Sequence, residues 1–483
     1  MTALLVVKED SAHGISFLLQ RLEELNLDVN AFFIQPFESL TSHQSLALFA
    51  DPLKFDPAKE YPASSFTASE ERIIARWLNT SPWMNGAMHG RDFFQPTQDE
   101  AFEYVTTCFN YYVQTLRDNN ITLVIDLESD NPIRCVLDIA CQRLKIPYKV
   151  AFNTRINGTV KFGNGVINPF SPEDFSQLRE LVPEKKDLEL LTDFRKKQRL
   201  SADEQKFVNR NNEITILTTI KEILRSSFFH IKRYFKTRSQ YRQLGPLYVG
   251  YTLKFLLWSA RRNLRKYIMS KRRSVFHYDV DSVDYIYFPL GQIAEGAEPS
   301  FSNRWPNDLI CLDHLKCNKP ILTEIIVKDH RSMLGERPMW HNHFIANNTP
   351  AVISGKTLID YDANHNPIKL IQECVAVAGL SGSALVEALL MGKSVFIYGE
   401  PIIYNMLKVL QTDRECDVSD IDTWWKLHDI DAARLLMWSK TEALDFSLYS
   451  IKRYDGVNNT LDERSVDIII NELAELIDDH CYS

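Results

Sequence analysis

Residues 374–399 are CVAVAGLSGSALVEALLMGKSVFIYG, and this stretch decides the fold. One apolar run ends at Ala378, and small residues follow from Gly379 to Ser383. An apolar helical stretch then ends at Gly392, before a second apolar run. Two buried strands joined through a helix indicate a parallel β-α-β unit. The alternation extends upstream to Val283, so the sequence predicts a doubly wound α/β unit over residues 281–415.

The first third of the chain alternates in the same way, which predicts a second Rossmann-like unit over residues 1–162. Its strands are predicted at Ala3–Val7, Val29–Ile34, Ile121–Leu127 and Tyr148–Phe152. We expect residues 163–280 to form a helical, basic insert or linker, and residues 416–483 to form C-terminal helices that pack back across a domain. Two Rossmann-like α/β domains facing a cleft make up the GT-B architecture, which is the predicted fold class.

The composition is that of a folded globular protein, with 45% hydrophobic and 24% charged residues among 483. The eight cysteines are scattered without a CxxC pair, which favours free thiols over a zinc site. The first ten residues lack the basic segment and the long apolar run of a signal peptide. No stretch reaches the ~18 apolar residues of a membrane span. We therefore expect a cytoplasmic protein without a bound metal.

Charge is distributed unevenly along this chain, whose formal net charge is −8. Residues 221–273 hold fifteen Lys or Arg and one acid, Glu222, so the segment carries +14 and the rest of the chain −22. Bulky apolar residues such as Phe228, Phe255 and Trp258 are interleaved with these cations. This pattern predicts helices that lie on an anionic membrane surface, on the inner face. Linker helices packed on the two domains are the alternative, and no nucleic-acid-binding motif accompanies the cations.

The small-residue turn between the strand and the helix has the properties of a phosphate site. Glycines let the backbone approach a ligand closely, and the N–H groups at a helix N-terminus point towards an anion. We therefore expect Ser381, Gly382 and Ser383 to bind the phosphates of a ligand and Glu387 to reach its ribose. An ordinary N-capped helix, with Ser381 or Ser383 as the cap, is the alternative.

A second polar cluster follows the buried stretch that begins at Glu324, in EIIVKDHRSMLGERP. Ligands of doubly wound sheets bind outside the carboxyl ends of the strands. Lys328 and His330 lie two residues apart there and can point to the same side, where both can donate to phosphate. We expect them to belong to the same ligand site as the glycine-rich turn.

Several stretches together are similar to one known family. In the C-terminal half they are Tyr285–Leu290 (YIYFPL), Val327–Pro338 and Gly379–Gly399. Ile121–Asp126 and the segment over 146–158 fit the same family in the N-terminal third. The chain resembles the bacterial capsular-polysaccharide biosynthesis family, which contains GT-B glycosyltransferases such as the β-Kdo transferases of capsule assembly. The resemblance implies a nucleotide-sugar donor, often CMP-linked, and a growing surface glycan, in many cases lipid-linked, as acceptor.

In GT-B enzymes the acceptor-side base or nucleophile comes from the N-terminal domain. Candidates at strand ends are Asp10 and His13 after the first strand, and Asp126, Glu128 and Asp130 after Ile121–Ile125. A carboxylate there can take the acceptor proton or attack the anomeric carbon. No DxD-type metal motif stands on a donor loop, so we expect a metal-independent reaction with no cofactor besides the sugar donor.

Two other functions remain open at this point. The first is a catalytically silent GT-B-like protein that scaffolds a polysaccharide-assembly complex, since Arg331 stands where the family has proline. The second is a nucleotide-sugar epimerase of the GT-B fold, which needs no separate acceptor.

Overall fold

The structure is a computed structural model. It describes residues 2–7, 12–27, 29–33, 66–70, 98–129, 133–154, 156, 159–167, 169–196, 215–241, 260–268, 284–290, 308–320, 322–328, 358–360, 367–380, 382–399, 401–410, 424–441, 444 and 463–481.

The chain divides into two compact units. Unit one comprises Met1–Phe170, Ile231–Thr252 and Glu442–Ser483, and unit two comprises Ser171–His230 and Leu253–Thr441. Each unit is an α/β structure with its own mainly parallel sheet. The prediction of an α/β fold with two doubly wound, Rossmann-like units is therefore confirmed.

The strands, numbered in chain order, are β1 (Thr2–Val7), β2 (Val29–Phe33), β3 (Ile121–Asp126), β4 (Tyr148–Asn153), β5 (Val160–Asn164), β6 (Tyr285–Pro289), β7 (Glu324–Lys328), β8 (Leu358–Asp360), β9 (Ala376–Gly379), β10 (Ser394–Ile397) and β11 (Trp424–Trp425). The α-helices are α1 (Ala12–Glu24), α2 (Gln98–Asp118), α3 (Ile133–Leu144), α4 (Gln177–Glu180), α5 (Lys185–Arg195), α6 (Ile216–Tyr241), α7 (Asp308–Asn318), α8 (Pro367–Glu373), α9 (Ser383–Leu390), α10 (Pro401–Leu410), α11 (Asp429–Thr441) and α12 (Glu463–Cys481). Among the described helices, none is both long enough and apolar enough to cross a membrane.

The sheet of unit one has the strand order β2-β1-β3-β4-β5. Strands β1 to β4 pair in parallel, and β5 closes the edge antiparallel to β4. The central strands are almost entirely buried, as expected for a parallel sheet covered on both faces. This burial explains why their sequences, TALLVV and ITLVID, are continuous apolar runs rather than alternating ones.

The C-terminal helix α12 belongs to the core of unit one. Val466, Ile469, Leu473 and Ile477 recur at helical spacing and are buried together with residues of β1, β3 and α1. The predicted C-terminal block 416–483 is therefore corrected, because α11 lies in unit two and α12 in unit one. Within the predicted tail, α12 packs on β1, β3 and α1.

The sheet of unit two has the order β11-β10-β9-β6-β7-β8. All pairs among β6 to β10 are parallel, and only the short β11 is antiparallel to its neighbour. When β6 is numbered strand 1 and the sheet is read from the β8 edge, the order is 3-2-1-4-5-6. This is the strand order of the dinucleotide-binding Rossmann fold. The predicted range 281–415 holds β6 to β10, whereas the edge strand β11 lies beyond its C-terminal bound.

The predicted insert over residues 163–280 is also corrected at its start. Residues up to Asn164 complete the unit-one sheet, and residues 171–196 form part of unit two. Arg179 donates through Nε to the carbonyl of Val409, at the end of α10, over 2.8 Å. Arg195 donates to the carbonyl of Leu390, at the end of α9, over 2.8 Å. These arginines satisfy helix C-terminal carbonyls that otherwise have no partner within their helices.

Leu473→Ala tests the assignment of α12 to unit one. Removing a fully buried leucine should lower the free energy of unfolding by about 2–5 kcal/mol, since the vacated volume is only partly refilled. Amide hydrogen exchange in β1 and β3 should speed up in the same variant. Asp467→Ala, at an exposed position of the same helix, is the control and should change stability by less than ~0.5 kcal/mol. Equal effects of the two substitutions would contradict the packing described.

Candidate functional site

Each sheet contains one position where the direction of winding reverses. In unit two the chain runs from β6 to β7 and β8 on one side, and then starts again with β9 on the other side of β6. In doubly wound sheets the connections that follow two such strands lead away from each other, which leaves a crevice outside the carboxyl ends of the strands. Doubly wound proteins bind their ligands in this crevice.

The backbones of β6 and β9 come close together at this crevice. A Cβ placed on Gly379, the last residue of β9, would lie 3.7 Å from Cγ of Pro289 and 3.4 Å from Cδ2 of Leu385. On the far side of β9, Tyr398 donates its backbone N–H to the carbonyl of Gly379 over 3.0 Å. The strand therefore ends against neighbours on both sides, and α9 begins at Ser383.

The turn into α9 leaves the helix N-terminus without a side-chain cap. Gly382 is the N-cap residue, and its φ of +122° belongs to a region that residues with side chains rarely adopt. Ser383 is the first residue of α9, and its side chain is exposed rather than folded back as a cap. Leu385 donates its N–H to the carbonyl of Gly382 over 3.2 Å, whereas the N–H groups of Ser383 and Ala384 have no acceptor within the helix. Ser381 lies outside the described residues.

Lys328 is the last residue of β7, and its side chain is buried at the same edge of the sheet. In the register of the sheet Lys328 pairs with Pro289, whereas Gly379 lies beyond Pro289 on the other side. Two strand spacings separate Lys328 from Gly379, which is about 10 Å. Glu387 lies one turn into α9 and is half-buried. His330 follows β7 outside the described residues.

In unit one the winding reverses between β1 and β3, whose carboxyl ends align through the pair Val6 and Asp126. The predicted acceptor-side residues therefore follow the two strands that border this crevice. Asp10 and Asp130 lie outside the described residues, and His13 lies in the first turn of α1, with no side-chain placement described. Asp126 and Glu128 are described in full.

Asp126 is completely buried and accepts hydrogen bonds from four donors. Arg134 donates Nε to Oδ2 over 2.6 Å and Nη2 to Oδ1 over 3.1 Å. The hydroxyl of Tyr148 donates to Oδ2 over 3.0 Å, and the backbone N–H of Glu128 donates to Oδ1 over 2.9 Å. Arg134 also reaches Oε2 of Glu128 through Nη2, over 3.3 Å. One buried guanidinium thus holds two carboxylates at the end of β3.

This network separates the two candidate carboxylates. Asp126 has no exposed surface, and its two oxygens already receive four hydrogen bonds, so it cannot contact a substrate as placed. Burial raises the pKa of Asp126, and Arg134 opposes that rise. Burial and the adjacent Asp126 raise the pKa of Tyr148, which keeps its hydroxyl protonated as the donor. Glu128 retains 6% exposure, and of the two it is the better candidate for chemistry.

Arg134 and Tyr148 were not predicted as part of any site. Arg134 sits in the first turn of α3, within the stretch IRCVLDIACQRL, whose residues Ile133 to Cys141 are all buried. A cation in an otherwise apolar helix that directly follows a carboxylate-bearing strand end is a sequence signal for a buried ion pair. Tyr148 carries no comparable signal, since a tyrosine that begins a buried strand is common.

Metal binding has no support in the described part of the chain. No group of three or more His, Cys, Asp or Glu side chains among the described residues is arranged to hold an ion. The expectation of a metal-independent reaction stays a prediction.

Comparisons with known proteins show distant likenesses only. No family model and no curated protein matches the chain. It is similar to the solved structure of Thermosulfurimonas dismutans KpsC, a beta Kdo 2,7 transferase, at 12% identity and a TM-score of 0.29, over 85% of this chain and 98% of that one. It is similar to S. aureus MnaA in a structure with UDP, at 8% identity and a TM-score of 0.27, over 99% of this chain and 97% of that one. It is also similar to the structure of a Methanocaldococcus jannaschii UDP-GlcNAc 2-epimerase in complex with UDP-GlcNAc and UDP. The identity is 10% and the TM-score 0.25, over 91% of this chain and 99% of that one.

Arg134→Met tests the buried network. The substitution leaves two carboxylates without their cation in a buried site, which should cost about 3–5 kcal/mol of unfolding free energy. Adding Asp126→Asn to the same chain should restore part of that loss, because one of the two buried charges is removed. Chemical denaturation measures both changes.

Arg21→Met is the matched control for this experiment. Arg21 pairs with Glu24 over 2.6 Å on the exposed side of α1, where an ion pair contributes only ~0–1 kcal/mol. Similar losses from Arg21→Met and Arg134→Met would contradict a special role of the buried network.

Proposed function

We propose that this protein is a GT-B glycosyltransferase that transfers a sugar from a nucleotide-sugar donor to a glycan acceptor. The observation that carries the proposal is the edge of the unit-two sheet. There a Rossmann strand order, a glycine turn at φ +122° and an uncapped helix N-terminus meet at the winding reversal between β6 and β9. A helix N-terminus in this position favours an anion such as a pyrophosphate.

The donor phosphates would bind at the turn formed by Ser381, Gly382 and Ser383. Lys328 and His330 would approach the same phosphates from the end of β7, and Glu387 would hydrogen-bond the ribose. The buried position of Lys328 supports this arrangement, because a cation in low-dielectric surroundings attracts a phosphate more strongly than one in water. A CMP-linked sugar is the donor that we propose first, and UDP- and GDP-sugars are to be compared with it.

The acceptor side of the reaction is assigned to unit one. Glu128 would act as the base that removes the acceptor proton, or as a nucleophile if the configuration is retained, and Asp10 and His13 would line the same crevice. Asp126 and Arg134 would position Glu128 rather than touch the substrate. The reaction is proposed to need no metal and no cofactor beyond the sugar donor. Nucleic acid is not expected as a partner.

We propose a bacterial surface polysaccharide, free or lipid-linked, as the acceptor and the cytoplasm as the location, with peripheral binding to the inner membrane face. Turnover separates this function from the two alternatives. A transferase consumes the nucleotide sugar and passes the sugar to an acceptor, whereas an epimerase changes the sugar on the nucleotide without an acceptor. A silent scaffold binds the nucleotide and consumes nothing.

His330→Ala and Ser383→Ala should each weaken nucleotide binding by about tenfold or more. The loss of one hydrogen bond to a charged group costs roughly 1.5–3 kcal/mol, and 1.4 kcal/mol corresponds to a factor of ten. Calorimetric titration with CMP, UDP and GDP measures the effect and identifies the nucleotide.

Two controls accompany this titration. Ser394→Ala alters a serine at the opposite, amino end of the same sheet, and His428→Ala alters an exposed histidine outside it. Both should bind nucleotide as the parent chain does. Unchanged affinity in both His330→Ala and Ser383→Ala would exclude the proposed donor site.

Glu128→Gln should reduce turnover by ~10²–10⁴-fold and leave nucleotide affinity unchanged, because the amide keeps the shape of the side chain but cannot accept a proton. Glu24→Gln, on the exposed face of α1, is the matched control and should retain full activity. Steady-state kinetics with the nucleotide identified above provide the measurement. Full activity in Glu128→Gln, Asp126→Asn, Asp10→Asn, Asp130→Asn and His13→Ala, each tested singly, would exclude a catalytic base among the unit-one candidates.

A further inference from the structure

Helix α6 presents large apolar side chains to solvent. Phe228 is 72% exposed and Leu217 76% exposed, values that are unusual for such residues. All members of the group are exposed, and the group comprises Ile216, Leu217, Ile220, Leu224, Phe228 and Ile231. We call this group the apolar stripe of α6.

The apolar stripe occupies one side of the helix. At about 100° of rotation per residue, its six members fall within an arc of about 120°. The side that packs against the protein is a different one. Thr219 is buried, and Ile223 and Ser226 are half-buried, and all three lie outside that arc, whereas the half-buried Ser227 lies within it. The helix therefore packs through the side that carries Thr219, and the apolar stripe remains exposed in this structure.

Cations border the apolar stripe. Lys221 and Arg225 lie next to it around the helix, and both are exposed. Glu222, on another side of α6, is the single acid in the basic segment of residues 221–273, and it reaches Arg225 only at 4.0 Å. A second helical stretch of the segment, residues 260–268, repeats the pattern with exposed Leu264 and Ile268 beside exposed Arg261.

We infer that the apolar stripe and its flanking cations dock this protein on an anionic lipid bilayer. An apolar side that enters the acyl boundary, with lysine and arginine at headgroup level, is the arrangement of interfacial helices. The charge argues for a lipid surface over a second copy of this chain. A symmetric pairing through this face would bring two segments of +14 against each other, whereas anionic headgroups complement that charge.

The biological role of this docking rests on the proposed function, because an enzyme that extends a lipid-linked glycan benefits from staying at the bilayer. Its physical basis is independent of that function. The contacts it requires lie on α6 and residues 260–268, and none of the residues assigned to the donor or acceptor sites belongs to them.

Co-sedimentation of the full chain with vesicles tests the inference. The chain should bind vesicles of phosphatidylcholine with phosphatidylglycerol, and binding should weaken as salt is raised, because the ionic attraction is screened. The double substitution Leu224→Glu with Phe228→Glu should weaken binding at least tenfold. Lys221→Glu with Arg225→Glu should weaken it at low salt and lose most of its effect at high salt.

Matched variants use equally exposed positions elsewhere in unit two. Val182 is 77% exposed and Leu322 is 85% exposed. The double variant Val182→Glu with Leu322→Glu is the control for the apolar stripe. Lys185→Glu with Lys186→Glu is the control for the cations. Both control proteins should sediment with anionic vesicles as the parent chain does.

Three outcomes would overturn the inference. They are equal binding to neutral and anionic vesicles, absence of binding to either, and a dimer in light scattering that the Leu224→Glu, Phe228→Glu variant abolishes. Nucleotide titration of the same variants separates this inference from the proposed function. Unchanged nucleotide affinity with lost vesicle binding supports the docking surface, whereas vesicle binding retained by the stripe variant contradicts it whatever the nucleotide result.

Discussion

Parallel strands impose the constraint on which this structure depends. A parallel strand can be reached only by a crossover of the chain through a helix or long loop, so a chain that adds strands on both sides of its first strand must reverse direction once. In unit one the reversal lies between β1 and β3, and in unit two between β6 and β9. At each reversal the connections after the two adjacent strands lead to opposite sides, and this is where doubly wound folds bind their ligands. The candidate residues that the structure describes at these places are Asp126 and Glu128 in unit one and Gly382 and Ser383 in unit two.

The same constraint explains which features could be predicted from sequence. Strands such as β3 and β9 are buried on both faces and are apolar runs, so the sequence predicted them as buried parallel strands. The strand order itself could not be predicted, because it depends on which strands pair over long sequence distances. The antiparallel β5 and the split of the C-terminal helices between the two units were missed for a related reason. An amphipathic helix such as α12 shows that it has a buried face, but not against which sheet that face packs.

At the candidate site the sequence predicted positions better than roles. Asp126 and Glu128 are two residues apart on one strand end, and nothing in their own sequence distinguishes them. Their difference comes from Arg134, which binds Asp126 with two hydrogen bonds and Glu128 with one. A buried ion pair of this kind adds little net stability, because desolvating the charges offsets much of their attraction. Its consequence is geometric, since the fixed guanidinium sets the direction of the Glu128 side chain at the edge of the crevice.

Helix α6 shows the converse case, because its sequence contains an apolar stripe that the fold leaves exposed. Burying its apolar stripe against the protein would remove apolar surface from water, and each large side chain would contribute roughly 1.5–3 kcal/mol. The fold instead covers the side that carries Thr219 and leaves the stripe exposed. An intramolecular partner for the stripe would also have to accommodate the flanking cations, and in a chain with −22 outside the basic segment such acidic partners are available. Within the described part of α6, Arg225 meets Glu222 only at 4.0 Å and both side chains are exposed, so these charges face solvent together with the apolar stripe.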